Sequence, residues 1–310
     1  MKSAGGDLCA CCKSFFFSSR LLLENQTRAR AREMGNIYST PALALPCRAR
    51  IFILEGLPGC GKTMFIRSAA SYWALWGYHV RVFTEDIDAE FLAAYLANPE
   101  RYAFAFQTNL THQRVYQHTR ARELVERDPL LVVFLDRSRI GDFAFASELN
   151  ARGAITSAEF SFYRTASGLL RGATLASLHP RTDFVVLYLR VTAAKSLERV
   201  RKRGNASEIG GYTLKSMSTL LEHYERTIDA CRSIVVDVDW NADLPLERRF
   251  DYHENCETEQ LPGVALEAVF TKVKFMAATA SQPEVAAAVV PVTGRALLDV
   301  FKPSTHAPQQ

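Results

Sequence analysis

Long apolar runs are missing from this 310-residue chain. None approaches the ~18 consecutive apolar residues that a membrane helix needs, so a membrane-spanning reading is excluded. A second Cys-x-x-Cys pair to match Cys9–Cys12 is also missing. The seven cysteines (Cys9, Cys11, Cys12, Cys47, Cys60, Cys231 and Cys256) form an irregular set. That set argues against a structural zinc site and for a reducing compartment. His112, His118, His179 and His223 lack metal-ligand spacing and are expected on the surface or on helices. No internal repeat is visible. The body also lacks a surplus of either charge. Residues 1–50 hold eight bases and three acids, which leaves −1 for the remainder out of a net +4. A near-neutral body is not a nucleic-acid surface.

What the chain does have is the composition of an ordinary globular protein, 48% apolar and 23% charged, with a patterned middle between two unpatterned ends. Residues 1–48 are rich in Ser, Arg and small residues; Asp7, Lys13 and Arg20 break any secretory apolar core. This segment reads as a disordered extension or a mitochondrial transit segment, with Met34 as an alternative start and the cytoplasm as the default compartment. Residues 279–310 read as a peripheral Ala/Val/Pro-rich tail.

Residues 49–278 form the expected domain. Strands are expected at Arg50–Glu55, His79–Thr84, Leu130–Leu135, Phe184–Leu189 and Ser233–Asp237. Helices are expected over Lys62–Trp76, over Ile87–Asn98 (closed by Pro99) and over Tyr102–Arg127. Near-continuous apolar strands separated by helices imply a parallel sheet covered on both faces, a three-layer α/β fold of about five strands.

Between the first strand and the first helix lies Gly56-Leu57-Pro58-Gly59-Cys60-Gly61-Lys62-Thr63, which matches the phosphate-binding pattern G-x-x-x-x-G-K-[ST] in the context it requires. Glycines let backbone N–H groups converge on phosphate oxygens, and the helix N-terminus adds its positive end. Lys62 is expected to bridge the β- and γ-phosphates of ATP or another nucleoside triphosphate, and the Thr63 hydroxyl to ligate Mg²⁺. Two further charged groups fall at strand ends, where ligands collect in open parallel sheets: Glu85 with Asp86, and Asp136 with Arg137.

Together EGLPGCGKT (55–63), TED (84–86), NPERYAFAFQT (98–108), LDRSRIGDFAFAS (135–147) and YLRVTAAKSLERVRKRG (188–204) resemble the deoxyribonucleoside kinase family, particularly its deoxycytidine and deoxyguanosine kinase branch. The resemblance covers roughly residues 50–240, in the family's order. It implies a P-loop kinase fold with a basic lid. Glu85 becomes the general base for the sugar 5′-hydroxyl, and Arg137 pairs with that base and steadies the transferring group. Asp136 becomes a magnesium ligand with Thr63, standing where the family usually has Glu. Gln107 is implied to read the nucleobase edge through paired hydrogen bonds. Arg199 and Arg203 match lid arginines on the triphosphate, and Glu208 matches a lid carboxylate near the sugar.

Arg114 lies seven residues after Gln107, about two helical turns, so both face one pocket. By resemblance, the Arg114–Asp142 pair implies acceptance of deoxycytidine and purine deoxynucleosides over thymidine. The chain departs from the family at five points. The tyrosine for the sugar 3′-hydroxyl aligns with Leu96, with Tyr95 one residue away; a tryptophan after the base motif is missing; the segment after Glu85 is shorter; the arginine that usually follows Asp142 is deleted, leaving Phe143; and Asn205 occupies a position that is often basic. Phe104, Phe106, Phe143 and Phe145 are expected mainly in the core. A homodimer is implied by resemblance alone. Two rivals remain at this stage: a nucleoside monophosphate kinase resembling thymidylate kinase, and a non-catalytic P-loop nucleotide-binding protein.

Overall fold

The computed structural model describes residues 50–175, 184–205, 208, 210–231, 234–251 and 256–280. The expectations for residues 1–48 and for the tail beyond 280 lie outside this set, as do Cys9, Cys11, Cys12, Cys47 and His179.

Five parallel strands form the centre: β1 (Ile51–Glu55), β2 (His79–Phe83), β3 (Leu131–Asp136), β4 (Phe184–Arg190) and β5 (Ile234–Asp239), in the order β2-β3-β1-β4-β5. β1 and β3 are buried along their whole length, as their unbroken apolar runs require. Helix α1 (Lys62–Leu75) and the last helix, α8 (Gly263–Ala280), cover one face. There Phe52, Trp73 and Phe270 meet ring against ring at 5.1–6.2 Å. The other face carries α3 (Pro99–Arg127), which lies against β3 and β1. Against it pack α2 (Ala89–Ala97), α4 (Arg139–Ala151) and α5 (Ser157–Leu175), and α4 in turn packs on α7 (Leu214–Asp229). Between β4 and α7 lies α6 (Ala193–Arg203), the basic segment.

Local signals explain the boundaries. Asn98 closes α2 and opens α3, its side chain accepting from Arg101 N at 3.2 Å, with Pro99 in the first turn. The proline therefore starts a helix as well as ending one, because its missing N–H costs nothing there. α6 is capped by Thr192 and stops at Gly204, whose φ is +77°. α7 starts with a reciprocal capping box between Thr213 and Ser216.

The sequence pattern missed an antiparallel hairpin, β6 (Glu247–Asp251) with β7 (Cys256–Gln260). Its sequences, ERRFD and CETEQ, have too few apolar residues to announce a strand. His118 takes the helix reading rather than the surface one. It sits on α3 with its ring stacked on Phe184 at 5.8 Å and its Nε2 buried.

Candidate active site

The strand order places the C-terminal ends of β2, β3 and β1 side by side, so Glu85, Asp136–Arg137 and the loop 56–63 converge although the chain separates them widely. The loop is a tight cradle. Gly56, Gly59 and Gly61 have φ of +143°, +74° and +102°. At Gly59 a Cβ would lie 2.7 Å from Val200 Cγ2 and 2.9 Å from the Ser196 carbonyl, so α6 closes against the loop with no room for a side chain. The first turn of α1 has no side-chain cap, which leaves its N–H groups free for an anion. Lys62 folds over the loop, with Nζ 3.2 Å from the Gly56 carbonyl and 3.1 Å from that of Leu57. An ammonium resting on backbone carbonyls is poised to move to phosphate oxygens when they enter.

Across the cradle stands Glu85. Its Oε1 accepts from Arg114 Nη2 at 2.5 Å and its Oε2 from Arg137 Nε at 3.3 Å. The side chain is 21% exposed, open enough for a substrate to reach it. Burial pushes its pKa up, but Arg137, Arg114 and Lys62 together outweigh that and hold the carboxyl below its ordinary range. Glu85 is therefore ionised at neutral pH. Arg137 occupies the left-handed region at φ +72°, the only non-glycine residue to do so among those described. Such a backbone costs on the order of 1–3 kcal/mol and persists where the surroundings over-determine it. Its N–H donates to the Leu54 carbonyl at 2.9 Å, and its guanidinium lies 5.2 Å from the Phe145 ring centre.

Arg114 is fully buried on α3, two turns after Gln107 on the same face. Its Nε lies 3.6 Å from Asp142 Oδ1, beyond hydrogen-bond range. Asp142 Oδ2 has no hydrogen-bond partner. Burial, reinforced by the negative charges of Glu55 and Glu85, pushes the Asp142 pKa up to about 7 against the pull of Arg114. Arg114 gives its short contact to Glu85 instead, so Asp142 is the member left short of a partner. Gln107 is likewise buried with its Oε1 unpaired. Unsatisfied buried acceptors are costly, and here they point to a ligand that completes them. The magnesium ligands fit on the same ground. Asp136 Oδ1 is buried without a partner, and Thr63 offers a hydroxyl at the start of α1. Hard oxygen donors of this kind suit magnesium shared with phosphates.

The remaining expected residues have other partners. Tyr95 stacks on Phe106 at 4.7 Å and, with Tyr212, Glu148 and Arg152, lines a cavity of about 60 Å³ bounded by Phe145. Arg199 is turned down onto the protein: it donates to the carbonyls of Cys60 and Trp240 at 3.3 and 3.0 Å and pairs with Asp243 at 2.9 Å. Arg203 pairs with Glu208.

Two residues escaped sequence reasoning. Glu55, a fully buried acid, accepts from Ser138 N at 2.7 Å and Ser138 Oγ at 2.5 Å. Tyr224 Oη accepts from Arg137 Nη1 at 2.6 Å. A charge ending an otherwise apolar strand was the available signal for Glu55; nothing local marks Tyr224.

The sequence model of a family described as deoxynucleoside kinase matches residues 52–258. A deoxyadenosine kinase of Dictyostelium discoideum is 27% identical over 227 residues, covering 72% of this chain and 80% of that protein. A deoxyguanosine kinase of the same organism is 28% identical over 196 residues, 62% of this chain and 65% of that protein, so the chain spans just under two thirds of its length. The solved structure of deoxyadenosine kinase from M. mycoides with products dCMP and a flexible dCDP bound has a TM-score of 0.47 and 20% identity, covering 60% of this chain and 90% of that one.

Proposed function

Because the chain belongs to the deoxynucleoside kinase family, we propose that it moves the γ-phosphoryl group of ATP to the 5′-hydroxyl of a deoxyribonucleoside, preferring deoxycytidine and purine deoxynucleosides to thymidine. The observation that carries this reading is the position of Glu85, ionised and held between Arg114 and Arg137 opposite the Lys62 loop.

The steps follow from the chain's own groups. The loop amides and Lys62 take the β- and γ-phosphates. Glu85 accepts a hydrogen bond from the 5′-hydroxyl, aligns its oxygen with the γ-phosphorus and takes the proton as the new P–O bond forms and the bond from the γ-phosphorus to the β–γ bridging oxygen breaks, ADP leaving with its charge on the loop amides and Lys62. A carboxylate held below its ordinary range is a weak base, which suits a loose transition state in which positioning matters more than early proton removal. Arg137, bonded to both Glu85 and the loop carbonyl of Gly56 at 3.0 Å, spans the acid and the phosphates and stabilises charge on the transferring group. Magnesium held by Asp136 and Thr63 would neutralise phosphate charge. Arg203 and Glu208 exchange their mutual pair for triphosphate and sugar, and Arg199 lends its charge to the same phosphates.

Acceptor choice rests on Gln107, Arg114 and Asp142. Gln107 offers an amide that can both donate and accept. Asp142, once ionised, accepts from an exocyclic amino group, which cytosine, adenine and guanine all carry on the pairing edge and thymine lacks. The names of the two curated relatives support purine acceptance. Tyr95 and its cavity take the sugar end.

A homodimer fits the exposed aromatic residues on α3 and α5, Tyr116 at 68% and Phe162 at 62% exposure. We place the enzyme in nucleotide salvage in the cytoplasm, with the mitochondrion as the alternative. Among the described residues no helix is long and apolar enough to cross a membrane.

A transfer assay with labelled ATP and a panel of nucleosides and nucleoside monophosphates tests the reading. Phosphorylation of deoxycytidine, deoxyadenosine or deoxyguanosine ahead of thymidine is expected. Transfer only to monophosphates, or nucleotide binding without turnover, would overturn it.

A further inference from the structure

Behind Arg137 lies a buried polar chain that the transfer steps leave unused. Arg137 Nη1 donates to Tyr224 Oη at 2.6 Å. The Tyr224 hydroxyl donates onward to Glu55 Oε2 at 3.4 Å. The other Glu55 oxygen is saturated from α4, by Ser138 N at 2.7 Å, Ser138 Oγ at 2.5 Å and Gly141 N at 3.2 Å. Tyr224 and Glu55 are both fully buried.

We propose that Tyr224, anchored by Glu55, is a positioning residue that fixes the Arg137 guanidinium for phosphoryl transfer. The inference rests on the reading of Arg137 given above.

Three observations carry it. An arginine has a long flexible side chain, and on a left-handed backbone its head must be pinned from several sides to hold one geometry. Nε goes to Glu85 and Nη1 to the Gly56 carbonyl, both of which belong to the reacting side; Tyr224 is the contact from behind. Second, the fold makes room for the chain at Gly141, where a Cβ would lie 2.5 Å from Tyr224 Oη and 2.6 Å from Glu55 Oε2. Any other residue there would displace the hydroxyl or the carboxylate. Third, Tyr224 sits on α7, the helix that follows the basic segment, so it joins that segment's mount to the arginine on β3's end.

A packing role alone would need only the ring, which stacks on Tyr188 at 6.3 Å and meets Phe145 edge-on at 6.1 Å. Tyr224→Phe keeps the ring and deletes the hydroxyl, so it separates the two roles.

In the full-length chain, Tyr224→Phe is expected to lower kcat about tenfold while KM for ATP and nucleoside stays within about twofold, the signature of a contact used in the transition state. Added to Arg137→Lys it should cost nothing further, because the two act as one unit. Glu55→Gln should show the same pattern at smaller size. A crystal structure of Tyr224→Phe is expected to show the Arg137 guanidinium displaced or split between two positions. An unchanged kcat, or losses that multiply in the double variant, would overturn the proposal, as would a single undisplaced guanidinium. Absence of transfer by the unmutated enzyme to any nucleoside would instead defeat the functional reading, and the crystal structure would still decide this one.

Discussion

The two charged regions of the molecule are built in opposite ways. At the strand ends, Glu85 bonds both Arg114 and Arg137, with Asp142 buried beside Arg114; all four are buried or nearly so and mounted on the sheet, on α3 and on α4. In the basic segment, Arg203 is half exposed and meets Glu208 from the same stretch of chain, while Arg199 and Lys195 pair with the exposed Asp243. Buried charges tolerate no rearrangement without large cost, whereas exposed pairs contribute little and re-form easily. On the proposed function, the acceptor side is therefore preorganised and the donor side adjustable. A kinase needs that division, because the hydroxyl must be aimed and the triphosphate must come and go.

The comparison can be broken most sharply at Glu85. Glu85→Gln should lower kcat by about 10²–10⁴-fold with ATP affinity kept, as steady-state kinetics and nucleotide titration would report. A loss below about tenfold would remove Glu85 from the chemistry. Next in size is Asp142, whose pKa burial pushes up to about 7. On the proposed reading its ionised form accepts from the base, so acceptor KM should rise as pH falls through about 7. Asp142→Asn should abolish that inflection, raise KM about tenfold and narrow discrimination against thymidine.

His118 sharpens the same contrast through stability. Burial, with Arg114 and Arg139 nearby, holds its pKa down to about 3, so it stays neutral when folded while the unfolded chain protonates it near 6.5. The unfolded state then binds the extra proton. The stabilisation is present above about pH 6.5 and is lost as pH falls towards 3, at up to ~1.4 kcal/mol per pH unit. Urea denaturation at several pH values should show this slope, and His118→Leu should flatten it. The smallest effect belongs to the adjustable side. Arg203→Ala should raise KM for ATP only a few-fold and leave thermal stability nearly unchanged, since Arg203 is half exposed and such a pair contributes little.

How much of this was legible beforehand follows from how local each signal is. The runs IFILE, LVVFLD and FVVLYLR announce their strands, and the eight-residue loop announces its cradle, because burial and phosphate binding write themselves into contiguous residues. Glu85, Asp136 and Arg137 were found as charges at strand ends. The Glu55–Tyr224 chain was not, because those residues meet only through the strand order and the return of α7 across α4. Arg199 was read from the resemblance of its segment to a basic lid. Its bonds to the Cys60 and Trp240 carbonyls depend on how closely α6 approaches the loop, which spacing does not encode. The hairpin β6–β7 is hidden for another reason: its pairing is carried by backbone, and its exposed side chains are charged.

The most direct test of the central claim is a crystal structure of the chain with deoxyadenosine and a non-hydrolysable ATP analogue. The account predicts the 5′-oxygen within about 2.6–3.2 Å of the Glu85 carboxylate, on the side facing the γ-phosphate. A nucleoside bound with its 5′-oxygen turned away, and Glu85 still closed in both arginine pairs, would contradict it.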